Sequence, residues 1–446
     1  MQPAPCKLTG QEWEQIDQDI ESQVISKLTR RVTPFLLLLY LVGYLDRINV
    51  GFAALQMQQQ LGFNDVTYGL GMGMFFAGYC CFQVPSNLVM QRVGARRWLG
   101  ILMVVWGLIS SCMALVHTAH GFYALRFLLG VAECGFFPGV IFYLRNWFPA
   151  SSYARTVAWF STAGPISAVI GSPVSGAILR LHSMGGLAAW QWLFILEGLP
   201  AVILGFVVPF YLVNRPQEAG WLLPEWRSWL VEALAREQKS QPTMTRAELW
   251  ETLCTGRVWL LAIVYLTQST AGYGIMLWLP KVIRSLAVTN TLVIGVLAAI
   301  PFVAAAVAMV LVGMHSDKSG ERRWHLALLA FVGAVAVVVS AYCTSVGPMI
   351  ASLSVATLAV FSLMGPFWAF STTAIVGTSA AAGIAVINSV GSLGGLVGPW
   401  IIGLVRTYTG GFRGGLLCAA LALGLSGGIA LLVRIPVVER FFPGSD

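Results

Sequence analysis

QRVGARRW (Gln91–Trp98) and DKSGERRW (Asp317–Trp324) are two versions of one short pattern, 226 residues apart in a chain of 446. Each copy follows the second long apolar block of its half. Outward from these loops the sequence divides into twelve apolar blocks of roughly 20 residues, the length a helix needs to cross a bilayer core. Two six-block repeats with the motif at the same place imply two bundles of like orientation. They are related by a two-fold axis along the membrane normal, and a transport site is expected between them near mid-membrane. The reading is an all-α membrane protein with twelve transmembrane helices in two pseudo-symmetric six-helix bundles.

Composition agrees. The chain is 57% hydrophobic and 10% charged, with a mean hydropathy of +0.75, whereas a soluble domain carries about 25% charged residues. That excludes a soluble enzyme and a disordered chain. The segments are 1–33, an N-terminal amphipathic stretch; 34–213, the first bundle; 214–256, a polar linker; 257–435, the second bundle; and 436–446, a tail. No signal peptide precedes the first block, since Glu12, Glu14, Asp17, Asp19 and Glu21 stand where its apolar core would be. Thr9 and Glu12 have capping-box spacing ahead of Trp13, Ile16 and Ile20. In the linker, Pro224 opens a helical pattern with Trp226, Trp229, Leu230, Ala233 and Leu234 on one face, read as an amphipathic helix at the membrane surface.

Net charge is +8, and topology accounts for it better than nucleic acid does. With the N-terminus inside, cytoplasmic segments hold 20 Lys and Arg against five in external loops, namely Arg180, Lys281, Arg284, Arg406 and Arg413. This asymmetry puts both termini in the cytoplasm of a cell-membrane protein. Six of the eight cysteines fall inside apolar blocks and no CxxC occurs, so neither a disulfide frame nor a metal site is indicated. Without a GxxxxGK[ST] run, no cofactor is expected. Proline within blocks (Pro138, Pro165, Pro173, Pro301, Pro366) predicts kinks. Glycine runs such as Gly69–Gly73 and Gly391–Gly398 predict close helix packing.

Charges inside the blocks are confined to the first half: Asp46, Arg47, Arg126, Glu133 and Glu197. A charge at the bilayer centre costs about 2.5–3.5 kcal/mol on insertion scales, so each asks for a reason. Asp46 and Arg47 diverge by about 100° on a helix, so one can face a central cavity while the other faces a neighbouring helix. Arg126 and Glu133, seven apart, share a face. Glu133 can end one polar track with Arg126 or pair with a group on the first helix. An arginine presents a planar fork that suits a carboxylate and holds its proton at any relevant pH. Arg47 is therefore the expected anion ligand, Arg126 a second cation or a partner of Glu133, and Asp46 and Glu133 the proton carriers. Tyr44, on Arg47's face, is a candidate pocket wall. Gln268, Tyr273, Trp368 and Ser371 are the candidate lining from the second half. Glu197 reads as a structural acid, and His117 and His120 as solvated loop residues.

The paired basic loops resemble the signature of the major facilitator superfamily, although Gln91 stands where that pattern usually has an acid. Five blocks narrow the resemblance: YLDRINVGFA (Tyr44–Ala53), QVPSNLVMQRVGARRW (Gln83–Trp98), RFLLGVAECGFFPGVIFYLRNWFP (Arg126–Pro149), WQWLFILEGLPA (Trp190–Ala201) and INSVGSLGGLVGPW (Ile387–Trp400). In order, they are similar to the anion:cation symporter family, nearest its phthalate, tartrate and 4-hydroxyphenylacetate permease branch. The resemblance implies proton-coupled uptake of a small organic anion and assigns Tyr79 and Asn388 to substrate hydrogen bonding. The expected partners are that anion, the proton and the lipid bilayer, with no nucleic acid. A proton-coupled exporter and a non-transporting ligand sensor are the alternatives.

Overall fold

The computed structural model describes residues 10–181, 185–239, 254–375 and 380–433, and the side chains of all of these except 10–18, 238–239 and 380–381. Every regular element among them is a helix. Eleven are long and apolar enough to cross a membrane. The helix Asp65–Val93, glycine-rich and 29 residues long, completes a set of twelve. Large apolar side chains such as Phe206, Leu311, Val335 and Leu421 stand exposed on the outer wall, as a lipid-facing surface requires.

In chain order the first half is built from Gly10–Gln60, Asp65–Val93, Ala95–Cys112, Ala119–Glu133 with Phe136–Arg145, Ala150–Ser161 with Ala163–Ile178, and Ala189–Tyr211. The second half follows with Gly256–Arg284, Thr291–Ser319, Arg323–Tyr342, Val346–Ser362 with Met364–Ala374, Ala380–Ser392 with Gly394–Thr409, and Arg413–Leu432. These are the first to twelfth spans. The fourth, fifth, tenth and eleventh are each broken, so the breaks fall at matching places in the two halves.

Proline places three of the breaks. Its ring clashes with the carbonyl four residues back and its nitrogen cannot donate there. Pro138, Pro165 and Pro366 sit four residues beyond Cys134, Ser161 and Ser362, where the fourth, fifth and tenth spans are interrupted. The eleventh breaks at Leu393 between Gly391 and Gly394. Pro173 and Pro301 lie inside uninterrupted helices.

The N-terminal stretch and the first span form one helix, which runs from Gly10 through Pro34 to Gln60. At the proline the helix is held from outside. The Tyr211 hydroxyl donates to the Arg31 carbonyl at 3.0 Å, and the Arg31 guanidinium lies 4.9 Å from the Trp221 ring. Thr9, the side chains of Glu12, Trp13 and Ile16, and the 436–446 tail lie outside the described residues. The linker helix Pro224–Lys239 buries Leu230 and Leu234 and packs on the first helix. Its apolar face is thus covered by protein. Trp221 just before it stacks on Trp147 at 5.7 Å.

The two halves meet tightly at the end of the bundle opposite the linker, here the distal end. Ala163–Ile178 packs along the eighth span and Gly394–Thr409 along the second, whereas Ala150–Ser161 and Ala380–Ser392 make far less of these contacts. Glycine permits the approach. A Cβ on Gly295 would collide with the Ser172 carbonyl, and the Thr291 hydroxyl donates to the Gly176 carbonyl at 2.9 Å. Substituting Gly295→Leu is therefore expected to wedge the distal ends apart. Spin labels on His117→Cys and Ser345→Cys, one on each half, should show a longer distance population than in the parent. An unchanged distribution would mean that this contact does not set closure.

Candidate functional site

The second and fourth spans supply the wall of the site. A Cβ at Gly130 would strike the Phe75 carbonyl, so glycine there brings the Phe75–Tyr79 turn directly against the helix carrying Arg126 and Glu133. The first span completes the corner, fixed by the Tyr68 hydroxyl donating to the Val50 carbonyl at 2.6 Å and the Ser167 hydroxyl donating to the Leu41 carbonyl at 2.6 Å.

Arg47 Nε donates to Glu133 Oε2 at 2.9 Å, with both side chains buried (9% and 2% exposed). The Arg47 guanidinium lies 5.1 Å from the Tyr79 ring and 5.4 Å from the Phe75 ring. Arg126, on the same helix as Glu133, lies 5.1 Å from that same Phe75 ring. The other Glu133 oxygen, and Arg126 Nε and Nη1, have no hydrogen-bond partner among the described residues. One acid and two guanidiniums thus share an aromatic wall. For so buried a pair, removing one member costs about 3–5 kcal/mol, because the other is left uncompensated.

Asp46 turns away from this group, as the 100° divergence from Arg47 predicts. It is fully buried. Its Oδ1 accepts from the Ser110 hydroxyl of the third span at 2.6 Å and from Asn49 Nδ2 at 3.2 Å. No cation bonds it among the described residues, and its Oδ2 has no partner there. Glu197 accepts from the Ser175 hydroxyl at 2.6 Å and is likewise buried.

The remaining sequence-selected residues divide into two groups. Asn388 and Tyr44 cross between the halves: Asn388 Nδ2 donates to Gln83 Oε1 at 3.2 Å, and the Tyr44 hydroxyl to the Met276 sulfur at 3.4 Å. Cys80 reinforces the first crossing by donating to the Ser389 carbonyl at 3.2 Å. Gln268, Ser371 and Trp368 belong to the packing of the second half. Gln268 Nε2 donates to the Val360 carbonyl at 3.2 Å, and Ser371 is fully buried. Trp368 is half-buried, 5.4 Å from the Tyr265 ring. Tyr273, also half-buried, joins the first group, packing across the halves on Phe76 at 4.3 Å.

Three participants escaped the sequence reading. Phe75 is one aromatic among many and gave no signal. Gln83 gave one, a carboxamide inside a span, which is the same reasoning that selected Asn388. Ser110, the partner of Asp46, is indistinguishable in sequence from other helix-packing serines.

A chain with this bundle and buried charge cluster matches known proteins along most of its length. A protein of Agrobacterium vitis named for tartrate transport is 45% identical over 425 residues, covering 95% of this chain and 98% of that one. A Quinolone resistance transporter of Acinetobacter baumannii is 39% identical over 422 residues, covering 95% and 97%. Among solved structures, a bacterial homolog of the human lysosomal transporter Spinster, inward-facing and occupied, superposes with a TM-score of 0.74 at 15% identity. It covers 90% of this chain and 96% of that one, which speaks to the fold. The tartrate-named relative agrees with the anion:cation symporter resemblance. The profile of the Major Facilitator Superfamily matches residues 36–399; the chain belongs to that superfamily and is a multi-pass membrane transporter.

Proposed function

We propose that the chain imports a small organic anion together with protons, and that Arg47 alternates between two carboxylates: that of Glu133 and that of the substrate. The observation carrying this reading is the buried 2.9 Å pair between Arg47 and Glu133. An arginine held by a titratable acid is a site in which a proton and an anion help each other bind. Protonation of Glu133 weakens its hold on Arg47, and the freed fork takes the anion bidentately. Deprotonation restores the pair and expels the anion. With the termini and linker in the cytoplasm and the distal end outside, an inward proton gradient drives this exchange toward uptake. Asp46, held by neutral donors, is the second proton site. Tyr79, Asn388 and Tyr44 orient the substrate, with Gln268, Trp368 and Ser371 behind them in the second half.

The charge count points to the substrate class. Once Glu133 is neutral, Arg47 and Arg126 face the site as two cations, and a dianion balances them. The tartrate-named relative supports a hydroxy dicarboxylate of that kind. Export of an anionic compound is the second reading, favoured by the relative named for quinolone resistance. Proteoliposomes with an acidic exterior separate the two readings. A labelled panel of tartrate, aromatic monoacids and sugar acids should show gradient-dependent accumulation strongest for the dicarboxylate. Accumulation of none of them, with gradient-driven extrusion instead, would overturn the import reading.

A further inference from the structure

At the distal end, one carboxylate of the first half is gripped by two cations of the second. Asp65 Oδ1 accepts from Lys281 Nζ at 2.9 Å and from Arg406 Nη1 at 2.7 Å. Gln58 Nε2 donates to the same oxygen at 2.7 Å, and Lys281 also donates to Gln58. Arg284 donates to the Leu55 carbonyl beside them. All six residues are near the ends of helices that meet where the halves close.

Both cations also rest on aromatic rings of their own half. Lys281 Nζ lies 5.2 Å from the Trp278 ring, and the Arg406 guanidinium lies 4.2 Å from the Phe412 ring and 6.0 Å from Trp278. Trp278 is itself anchored, its indole N–H donating to the Pro399 carbonyl at 2.9 Å. Every group in this floor belongs to the second half and moves with it. When the distal ends part, Asp65 leaves with the first half, and Lys281 and Arg406 are left side by side on an aromatic base. That is a receptor for a carboxylate, now filled by one from the chain itself. Placement adds to the point. The distal loops hold five basic residues and one acid, Asp65, on the face where the positive-inside rule disfavours basic residues.

We infer that Lys281 and Arg406 form an outer capture site for a small carboxylate anion, masked by Asp65 when the distal end is closed and exposed when it opens. The inference rests on the import reading for its direction. An anion seated there does two things: it raises the local substrate concentration above the central site, and it blocks Asp65 from re-closing the gate until the anion has moved inward.

The test reads the field of the site without needing a transported substrate. Asp65→Cys is exposed from outside to a sulfonate-bearing and to a trimethylammonium-bearing methanethiosulfonate, with modification of that cysteine followed by mass spectrometry. Both reagents sample the same openings, so their rate ratio isolates the charge effect. Ser345→Cys, in an exposed distal loop, supplies the reference ratio. A cleft lined by one sign of charge concentrates the opposite ion at least about tenfold. The expected result is therefore a sulfonate preference at Asp65→Cys at least tenfold above the reference, which collapses to it when Lys281→Gln and Arg406→Gln are added. External tartrate should slow the sulfonate reagent. Running the same ratios in the Gly295→Leu background keeps the site reachable. A ratio equal to the reference, or no reaction in either background, overturns the capture site. Accumulation of an organic acid by the parent alongside a reference-level ratio would overturn the capture site alone. A tenfold preference without acid accumulation would overturn the import reading and leave the anion receptor standing.

Discussion

Arg47→Gln is expected to remove saturable anion binding, with an affinity loss of at least about 30-fold, since truncating one partner of a buried charged hydrogen-bonded pair costs about 2–5 kcal/mol. The reason is geometric as well as electrostatic. Arg47 comes from the first span, its guanidinium faces Tyr79 and Phe75 at 5.1 and 5.4 Å, and one nitrogen already serves a carboxylate. Arg47→Lys keeps the charge but loses the planar fork, and should fall between parent and Gln. Because Arg47→Gln also leaves Glu133 buried without its cation, its stability drops. The double variant Arg47→Gln/Glu133→Gln removes both charges and should recover stability without recovering binding. Radiolabelled tartrate binding and thermal unfolding, measured on the four proteins, separate the two effects. Recovery of binding in the double variant would show that Arg47 acts only as a structural ion-pair partner.

Glu133→Gln is expected to uncouple the transporter. The carboxamide keeps the size of the side chain but no longer changes charge, so Arg47 is permanently available to the anion. Gradient-driven accumulation should fall at least about tenfold, while exchange of internal for external anion at equal pH continues. The variant also leaves Arg47 without its buried counter-charge, a cost of about 3–5 kcal/mol. Its unfolding temperature should fall, and added anion should restore it further than in the parent, because the anion replaces the missing carboxylate. Gradient-driven accumulation at the parental level would remove Glu133 from the coupling mechanism.

Much of the architecture is visible in the chain because bilayer thickness, loop charge and proline chemistry are local constraints. Cys134, Ser161 and Ser362 mark helix breaks that follow directly from Pro138, Pro165 and Pro366. Pro34, Pro173 and Pro301 show the limit: the same chemistry gives no break there. The site was partly legible. That Asp46 and Arg47 face different ways follows from helical geometry alone. Which cation Glu133 takes does not, for Arg126 shares its helix face and Arg47 lies on another span. Helix packing settles it, through close approaches such as Phe75 against Gly130 that no spacing rule encodes. Gln83 with Asn388, and Asp65 with Lys281 and Arg406, are pairs more than 200 residues apart in sequence. Read singly, the last three are an acid and two bases in short loops, and only the approach of the two halves makes them a cluster.

The central claim is that a proton on Glu133 and an anion on Arg47 are bound together, and binding affinity measured against pH tests it most directly. Tartrate, or whichever panel acid accumulates, is titrated onto the purified parent and onto Glu133→Gln across a pH series. In the parent, the ionised carboxylate competes for Arg47, so affinity should weaken as pH rises, with protons taken up on anion binding in weak buffer. In Glu133→Gln the affinity should vary less with pH over the same range, with about one proton fewer taken up per anion because only Asp46 still titrates. A parent affinity that does not vary with pH, or a pH dependence that persists undiminished in Glu133→Gln, would contradict the mechanism.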